Sequence, residues 1–353
     1  MSISPVSVST GSPPVPAMAL EAAQSADAAR RQIQQCADTF AELGARLRQW
    51  PPRFVVTCAR GSSDHAASYG KYLIETTLGR AVASVGPSVA SVYNTPNLDL
   101  KECLFIAVSQ SGRSPDLLRL TEAARAGGAL VVGFVNNEDS PLFKLCDLAF
   151  PLCAGPERSV AATKSYILSG LAFLQLAAHW SGSQELHDAV ERLPEALEQA
   201  RALDWWPALS RLSGAHSMFV LGRGNGLGAA LEMALKFKET CRMHAEAFST
   251  AEVSHGPLAL VGPGFPVLAL GQEDSSAEST RSVVRRMVEL GADVRSVLEV
   301  PGAELLPSVP GVPSAIAPLC QVQSFYMAVH RLAVARKLDP DAPAHLRKVT
   351  ETV

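Results

Sequence analysis

The sequence has few charges, few aromatic residues and no long apolar run. Charged residues make up 18% and aromatic residues 6% of the 353 residues, while 47% are hydrophobic. The net charge is −3 and no basic run stands out, so a nucleic-acid surface has no electrostatic support. The most apolar stretch, residues 166–180, is interrupted by polar residues and is shorter than the roughly twenty residues of a membrane span. The composition therefore predicts a globular chain without a nucleic-acid or membrane partner.

Cysteine spacing of the kind that binds zinc is also missing. The seven cysteines are odd in number, form no CxxC pair, and five of them lie in apolar stretches. This distribution is typical of buried reduced thiols rather than of a disulfide framework or a zinc site. We expect a reducing, cytoplasmic setting and no metal. The first twenty residues contain no lysine or arginine, which argues against a secretory signal, and their Ser, Pro and Gly content predicts a disordered lead-in.

Two segments of the chain resemble each other. Residues 54–64 and 218–228 both contain an apolar strand-like run and a glycine turn, and each is followed by a helical pattern. Arg60-Gly61 recurs as Arg223-Gly224, 163 residues later. This is the first βα unit of a parallel sheet, present twice. The sequence thus predicts an α/β fold with two doubly wound parallel sheets. An arrangement in two domains also fits the length of the chain.

The same alternation of strand and helix patterns continues through both halves. We predict further strands at residues 103–108, 130–135, 148–152, 265–270 and 294–300, and further helices at 115–126, 163–180, 279–290 and 321–337. The predicted organisation is a lead-in and helical arm at 1–49, a first domain at 50–185, a second domain at 200–338 and a tail at 339–353.

Three turns in the first half are rich in hydroxyl groups and directly precede predicted helices. They are residues 61–63, 109–114 and 159–164. Beyond the carboxyl ends of parallel strands, hydroxyls, free backbone N–H groups and helix dipoles can hold a phosphate or a sugar. Ser and Thr at these positions are also ordinary helix N-caps. The spacing alone leaves the two interpretations evenly balanced.

The turn at residues 222–228 fits the GxGxxA fingerprint of dinucleotide sites loosely. That fingerprint needs a second strand ending in an acid about twenty residues later. The next clear strand pattern, residues 265–270, lies about forty residues on. We therefore expect no dinucleotide cofactor.

Candidate acid and base groups lie in the second half. Glu232, Lys236 and Glu239 have i, i+4 and i+7 spacing and share one helix face. Such a face is commonly a solvated ladder of salt bridges, but the apolar neighbours predict that much of this helix is buried. His255 precedes a Gly-Pro break and is expected on a loop. A carboxylate and a histidine in different settings can form an acid/base pair, although a lone histidine is more often structural.

Four segments together resemble the sugar isomerase (SIS) family: residues 61–63, 109–114, 160–164 and 234–260. Within it, the chain is most similar to the isomerase half of the glutamine–fructose-6-phosphate aminotransferases, over about residues 45–353. The resemblance implies a homodimer with shared active sites, a hexosamine 6-phosphate or ketose 6-phosphate substrate, and no metal or redox cofactor.

The family's site residues carry over position by position. The resemblance implies a sugar-phosphate site at Ser63, Ser109, Gln110, Ser111 and Ser114, with Val160 and Ala161 lining the sugar. It implies that Glu239 matches the proton-shuttling glutamate, that His255 matches a ring-opening histidine supplied by the neighbouring subunit, and that Lys236 and Lys348 match the remaining catalytic positions. Ala162 stands where the synthases have a serine, so one sugar contact is expected to be missing.

The expected reaction depends on a domain of the synthases that the resemblance does not cover. The synthases release ammonia from glutamine in a separate N-terminal domain, whereas only about fifty residues precede the first strand here and residue 2 is Ser2. We expect no glutaminase activity. Stand-alone chains of this kind resemble isomerising glucosamine-6-phosphate deaminases, which implies conversion of glucosamine 6-phosphate to fructose 6-phosphate and ammonia. The open alternatives are a SIS enzyme for galactosamine 6-phosphate or a fructosamine 6-phosphate, and a non-catalytic sugar-phosphate sensor.

Overall fold

The computed structural model describes residues 15–95 and 98–348. The helices are α1 (Ala17–Ala22), α2 (Ser25–Gln49), α3 (Ser62–Leu78), α4 (Ser88–Ser91), α5 (Pro115–Ala126), α6 (Pro141–Leu145), α7 (Lys164–Ser181), α8 (Gln184–Ala202), α9 (Trp206–Ser210), α10 (Gly226–Cys241), α11 (Ala277–Glu289) and α12 (Ala317–Ala335). The strands are β1 (Phe54–Cys58), β2 (Val82–Ser84), β3 (Cys103–Ser109), β4 (Leu130–Val135), β5 (Leu148–Pro151), β6 (Ser217–Gly222), β7 (His244–Ser249), β8 (Pro266–Ala269), β9 (Asp293–Ser296) and β10 (Glu304–Leu305).

The strands form two parallel sheets with the same topology. In the described residues the first sheet has the order β2-β1-β3-β4-β5 and the second the order β10-β9-β8-β6-β7. Counted from β6 onward, the second order is again 2-1-3-4-5, read from the other edge. Every pairing is parallel, as in Val55 with Leu104 and Phe219 with Val267. The predicted α/β fold with two doubly wound sheets is confirmed.

The central strands match the sequence prediction better than the edge strands do. The predicted bounds of β4 are those of the structure, and the predicted bounds of β3 and β5 differ by one residue. Strands β2, β7 and β10 were not predicted. All three lie at an edge of a sheet. Strands β2 and β10 are short, and in β7 apolar residues alternate with polar ones. The predicted strand at 294–300 ends early, at Ser296, because the Ser296 hydroxyl hydrogen-bonds the backbone N–H and C=O of Leu298 and turns the chain.

One premise about the glycine turn at 222–228 was wrong. The strand that follows α10 is β7, which begins at His244 rather than forty residues on. It ends at Ser249, not at an acidic residue. The fingerprint of a dinucleotide site therefore still lacks the acid at the end of the second strand.

The predicted helical arm is two helices, α1 and α2, separated by a short break at Ala23 and Gln24. Helix α2 lies against α7, nearly all of which is buried, and against α8, which links the two sheets. A single hydrophobic cluster includes Phe40 of the arm, Phe173 of α7, Met233 of α10 and Phe325 of α12. All seven cysteines lie in the described segments, where none is paired in a disulfide and five are buried. In those segments no helix has the length and apolarity to span a bilayer.

Helices α3 and α10, the first helices after each sheet's first strand, pack against each other. They approach most closely at Gly228. A Cβ atom there would lie 2.6 Å from the carbonyl oxygen of His65 and 2.7 Å from the backbone nitrogen of Tyr69. Because both neighbours are backbone atoms, they cannot rotate away as a side chain can. The glycine is what lets these two helices touch.

We predict that Gly228→Ala destabilises the protein by about 1–3 kcal/mol, as overpacking of a close contact does. Gly262→Ala is the matched control, since a Cβ at Gly262 has no heavy atom within 4 Å. Urea denaturation followed by circular dichroism measures both. Equal unfolding midpoints for the two variants would contradict the close contact.

Candidate active site

A cavity of about 370 Å³ lies at the carboxyl ends of β1 and β3. These are the strands at which the order of the first sheet reverses, the usual ligand position in such sheets. Six of the seven predicted binding residues line it: Ser63, Ser109, Gln110, Ser111, Ser114 and Val160. The seventh, Ala161, is fully buried, and its neighbour Ala162 lines the cavity instead.

The hydroxyl groups around this cavity are not helix caps. Ser114 and Thr163 hold the N-cap positions of α5 and α7, yet neither side chain makes a capping hydrogen bond within the described part of the chain. Ser140 and Ser183 show the contrast, because each accepts a hydrogen bond from the backbone of its own helix. The helix-cap interpretation therefore fails for these two turns, and the Ser114 hydroxyl is left to face the cavity.

The turn between β3 and α5 orients two more hydroxyls by its backbone. Ser109 Oγ accepts a hydrogen bond from the N–H of Gly112 at 3.0 Å, and Ser111 Oγ accepts one from the N–H of Arg113 at 3.4 Å. Each hydroxyl then keeps its own hydrogen for a second partner. Both residues line the cavity, so these hydrogens are available to an anionic ligand.

Arg60 places a cation at the same cavity. Its Nε and Nη2 both donate to Asp116 Oδ2, at 3.1 and 2.9 Å. Asp116 is fully buried in the first turn of α5, whereas the Arg60 side chain is half exposed. The buried carboxylate therefore holds the guanidinium at the mouth of the cavity, where it favours a ligand of negative charge.

A buried lysine connects the cavity to α10. Lys236 is fully buried, and its Nζ lies 2.6 Å from Glu239 Oε2, 3.0 Å from Ser62 Oγ and 3.3 Å from Glu232 Oε1. Burial lowers the pKa of Lys236, but the carboxylates of Glu232 and Glu239 outweigh that effect and raise it overall. The two carboxylates thus favour the ammonium form of the lysine. The interpretation of this helix face as a solvated ladder is wrong.

Glu232 is the buried partner of that ammonium ion. Its carboxylate accepts hydrogen bonds from Tyr326 at 2.7 Å and from Ser62 at 3.2 Å, and it lies 3.1 Å from His65 Nδ1. Burial raises the pKa of Glu232, yet Lys236, His65 and Tyr326 together bring it below its usual value. Glu232 therefore stays ionised although it has no exposed surface.

Glu239 has a different setting from Glu232. Its side chain is 19% exposed and lines the cavity, while Lys236 fixes one of its oxygens. A carboxylate held in this way can accept a proton from a ligand in the cavity and return it to a neighbouring atom of the same ligand. The spacing on α10 thus separates a structural carboxylate from one that is accessible.

The tail closes the cavity with a second amine. Lys348 lines it together with Leu346 and Arg347, and Lys348 Nζ donates to the carbonyl of Ser159 at 2.6 Å. Burial lowers the pKa of Lys348, and the carboxylates of Glu157 and Glu21 offset this only in part. A larger fraction of Lys348 is therefore the neutral amine than for a lysine in water.

Comparisons with known proteins agree with this geometry. The family model described as SIS domain matches residues 48–179 and 211–304. The chain belongs to the SIS domain family. The two matched segments contain the first strand of each sheet and the helix that follows it, so each sheet belongs to one SIS domain.

Relatives of the chain carry sugar-phosphate names. A glutamine–fructose-6-phosphate aminotransferase (isomerizing) from Aeropyrum pernix is 36% identical over 308 residues, and one from Thermotoga maritima is 33% identical over 315. These matches cover 82% and 83% of this chain but 49% and 50% of the relatives. The chain thus spans about half the length of the curated relatives it matches.

Solved structures share the fold over most of the chain. A protein from Silicibacter pomeroyi DSS-3 that is provisionally described as a phosphosugar isomerase is 41% identical with a TM-score of 0.88, covering 93% of this chain and all of that one. The glucosamine-6-phosphate deaminase of Thermotoga maritima has a TM-score of 0.75 at 23% identity, covering 95% of this chain and all of that one. The second likeness is one of fold alone.

The second SIS domain has a corresponding cavity of different chemistry. It is about 650 Å³ in volume and is lined by Arg223 and Asn225 after β6 and by Asp274 after β8. Glu185 lines it as well, and Gln272 Nε2 donates to Asp274 Oδ2 and to the carbonyl of Arg223. Asp274 and Glu185 bring two carboxylates to a cavity that also has serine hydroxyls and the guanidinium of Arg223. The duplication thus preserved the topology, whereas the charged groups around the two cavities differ.

His255 is a predicted catalytic residue that the single chain does not bring to the cavity. It follows a short 3₁₀ turn at Glu252–Ser254 and is exposed to solvent. Among the described residues, those lining the cavity do not include it. A groove of about 580 Å³ lies beside Glu239, between α10 and the tail, with Leu235, Arg242 and Leu346 in its walls.

The SIS resemblance did not point to several residues of this site. Arg60 lies inside a turn already singled out, so its charge was a visible signal. Glu232 was seen only as part of a ladder. His65 and Tyr326 gave no signal, because their roles depend on how α3 and α12 pack around α10.

We predict that Glu232→Gln lowers the free energy of unfolding by about 3 kcal/mol, because it removes one partner of a buried ion pair. Glu239→Gln is the matched control and costs less, since Glu239 is partly exposed and Lys236 keeps Glu232. The double variant Glu232→Gln/Lys236→Met recovers most of the loss. Urea denaturation measures all three, and equal stability of the two single variants would contradict the buried pair.

Proposed function

We propose that this SIS chain is a phosphosugar isomerase that acts as a deaminase, converting glucosamine 6-phosphate and water to fructose 6-phosphate and ammonia. One arrangement carries the proposal: the Glu239 carboxylate, fixed by the buried ammonium of Lys236, lies at a cavity lined with hydroxyls and a guanidinium. Relatives named for fructose 6-phosphate and for isomerisation support the substrate class.

The phosphate of the substrate would lie among the serine hydroxyls. Ser109 and Ser111 have hydroxyl hydrogens to donate, and the positive end of the α5 helix dipole lies beside them. Arg60 adds a positive charge, which suits the double negative charge of a phosphate monoester. A cavity of about 370 Å³ is within the size range of small-molecule sites.

The open-chain sugar would then extend toward Glu239. The carboxylate takes the proton from C2 while the aldehyde oxygen O1 gains a proton from Lys348, which gives an enolamine. It returns the C2 proton to C1 and the amine nitrogen gives a proton back to Lys348, which leaves an imine at C2. Water adds to the imine carbon and ammonia leaves, so that the ketose phosphate is formed. Two carboxylates hold Lys236 and raise its pKa, so its role is to orient the Glu239 carboxylate. Lys348, with its lowered pKa, can accept a proton from the sugar.

Ring opening needs an acid or base, and we assign it to His255 of a second copy. The loop that bears His255 is exposed and ends in Leu260, which is 67% exposed. The groove beside Glu239 offers apolar wall residues of the kind that such a loop covers. A symmetric homodimer in which each loop fills the partner's groove would complete two shared sites.

We predict that Glu239→Gln abolishes proton exchange at C2, because an amide cannot accept that proton. Turnover of glucosamine 6-phosphate should fall by roughly 10²-fold or more, with substrate binding retained. NMR of the substrate in deuterated water follows the exchange, and an ammonia assay follows turnover. The matched control is Glu246→Gln, an exposed residue of β7.

The substrate panel for this assay includes galactosamine 6-phosphate and a fructosamine 6-phosphate. Preference for one of these would keep the mechanism and change the substrate. Binding of sugar phosphates without any turnover or exchange would overturn the enzyme and favour a sensor. Exchange at the wild-type rate in Glu239→Gln would overturn the role of the glutamate.

We predict that two inactive variants restore activity when combined. Glu239→Gln and His255→Asn each remove one half of both sites in a homodimer with shared sites. In a mixed dimer one site has lost both residues and the other has lost neither. Random mixing should give about a quarter of wild-type activity, because half the dimers are mixed and each has one intact site. Co-refolding the two variants tests this, and no recovery would contradict a shared site.

A further inference from the structure

The first helix of the arm is tied to the tail. Asp341 accepts hydrogen bonds from the backbone N–H groups of Ala17 and Met18, both at 2.7 Å. These are N–H groups of the first turn of α1, which have no partner within the helix. The carbonyl of Asp341 also accepts a hydrogen bond from the N–H of Val160 at 3.1 Å. One tail residue thus holds both the arm and the wall of the cavity.

The same helix is tied to the cavity wall directly. Glu21 is 7% exposed, and its two carboxylate oxygens accept the backbone N–H groups of Arg158 and Ser159. Gln24, in the break between α1 and α2, accepts a hydrogen bond from Lys164 Nζ at 2.7 Å. Residues 157–164 are therefore held from the outside by the arm, and on their inner side they present Val160 and Ala162 to the cavity.

The catalytic amine is bound to this wall. Lys348 donates to the carbonyl of Ser159, whose N–H is held by Glu21. The Ser159 peptide carbonyl and N–H thus link the tail lysine to the arm glutamate. We propose that Glu21 and Asp341 are positioning residues that hold Lys348 in the active site, by joining α1 to the 157–164 loop and to the tail.

Carboxylates suit this task better than neutral groups do. A charged acceptor makes a stronger hydrogen bond to a backbone N–H, and an unpaired N–H left in a buried position is costly. Glu21 faces Glu157 and Lys348; burial raises the pKa of Glu21, while its two backbone hydrogen bonds and Lys348 oppose that rise. The ionised form of Glu21 is therefore favoured by its hydrogen bonds to residues 158 and 159, and the position of these residues depends on Glu21.

The test uses Glu21→Gln and Asp341→Asn, which keep the side-chain shapes and lie on different elements. Glu42→Gln on the exposed face of α2 is the control. One readout, steady-state turnover, rests on the proposed function. There kcat should fall about tenfold or more in either variant while KM changes little, since a small displacement of a catalytic group is costly and the serine turns are untouched.

A second readout is independent of the reaction. Amine acetylation of Lys348 as a function of pH, followed by mass spectrometry of the tail peptide, reports its pKa and its exposure. If Glu21 positions the lysine, Glu21→Gln releases it into water, so that its pKa rises toward the ordinary value. At a pH above that value, where the amine is neutral in both proteins, labelling becomes faster because Lys348 is more exposed. If Glu21 is only a nearby negative charge, its loss lowers the pKa of Lys348 further. The two outcomes differ in sign.

A lowered pKa with unchanged kcat in both variants would overturn the inference. If Glu21→Gln fails to fold, a raised pKa and greater exposure of Lys348 in Asp341→Asn would by themselves support the positioning role. If no panel substrate is turned over but the labelling shift appears, the positioning role stands and the proposed reaction is wrong. Wild-type labelling in both variants would mean that the arm does not hold the tail.

Discussion

A buried ammonium ion between two carboxylates is the constraint around which the molecule is arranged. Removing Lys236 from water is costly, and the cost is met only if Glu232 and Glu239 stay close to it. Glu232 in turn needs Tyr326 of α12 and Ser62 of α3 as hydrogen-bond donors. The electrostatic requirement of one side chain therefore fixes the mutual position of three helices. It also fixes the Glu239 carboxylate, which reaches the cavity, so the site has the rigidity of the core.

The sequence predicted correctly those features that depend on a single helix or strand. Helix α5 and strand β4 were predicted to the residue, because their apolar periodicity and their Pro and Gly boundaries are local. The serine turns were placed on the correct side of the sheet, since strand ends determine it. The charge state of Glu232, the clamp on Arg60 by Asp116 and the short strand β10 were out of reach. Each depends on residues that only packing brings together, and so does the choice between a surface ladder and a buried ion pair.

The duplication shows that a topology can be kept while its chemistry changes. Both SIS domains put a glycine turn and a helix N-terminus at the strands where the sheet order reverses. The first has serine hydroxyls and an arginine held by Asp116 there, and the second combines serine hydroxyls and Arg223 with Asp274 and Glu185. The second domain also contributes Glu239 of α10 to the first cavity. That cavity is thus lined by serine turns of one copy of the fold and by a carboxylate of the other.

The bond between Asp341 and the start of α1 joins residues 324 positions apart in the chain. On a ribosome that adds roughly 5–20 residues per second, about 15–65 s pass between the emergence of the two partners. During that interval both parallel sheets can form, but the arm has nothing to hold its first turn and Met18 lacks part of its cover. In a nascent chain of this protein, the first turn of α1 therefore lacks its hydrogen-bond acceptor until residue 341 has been made.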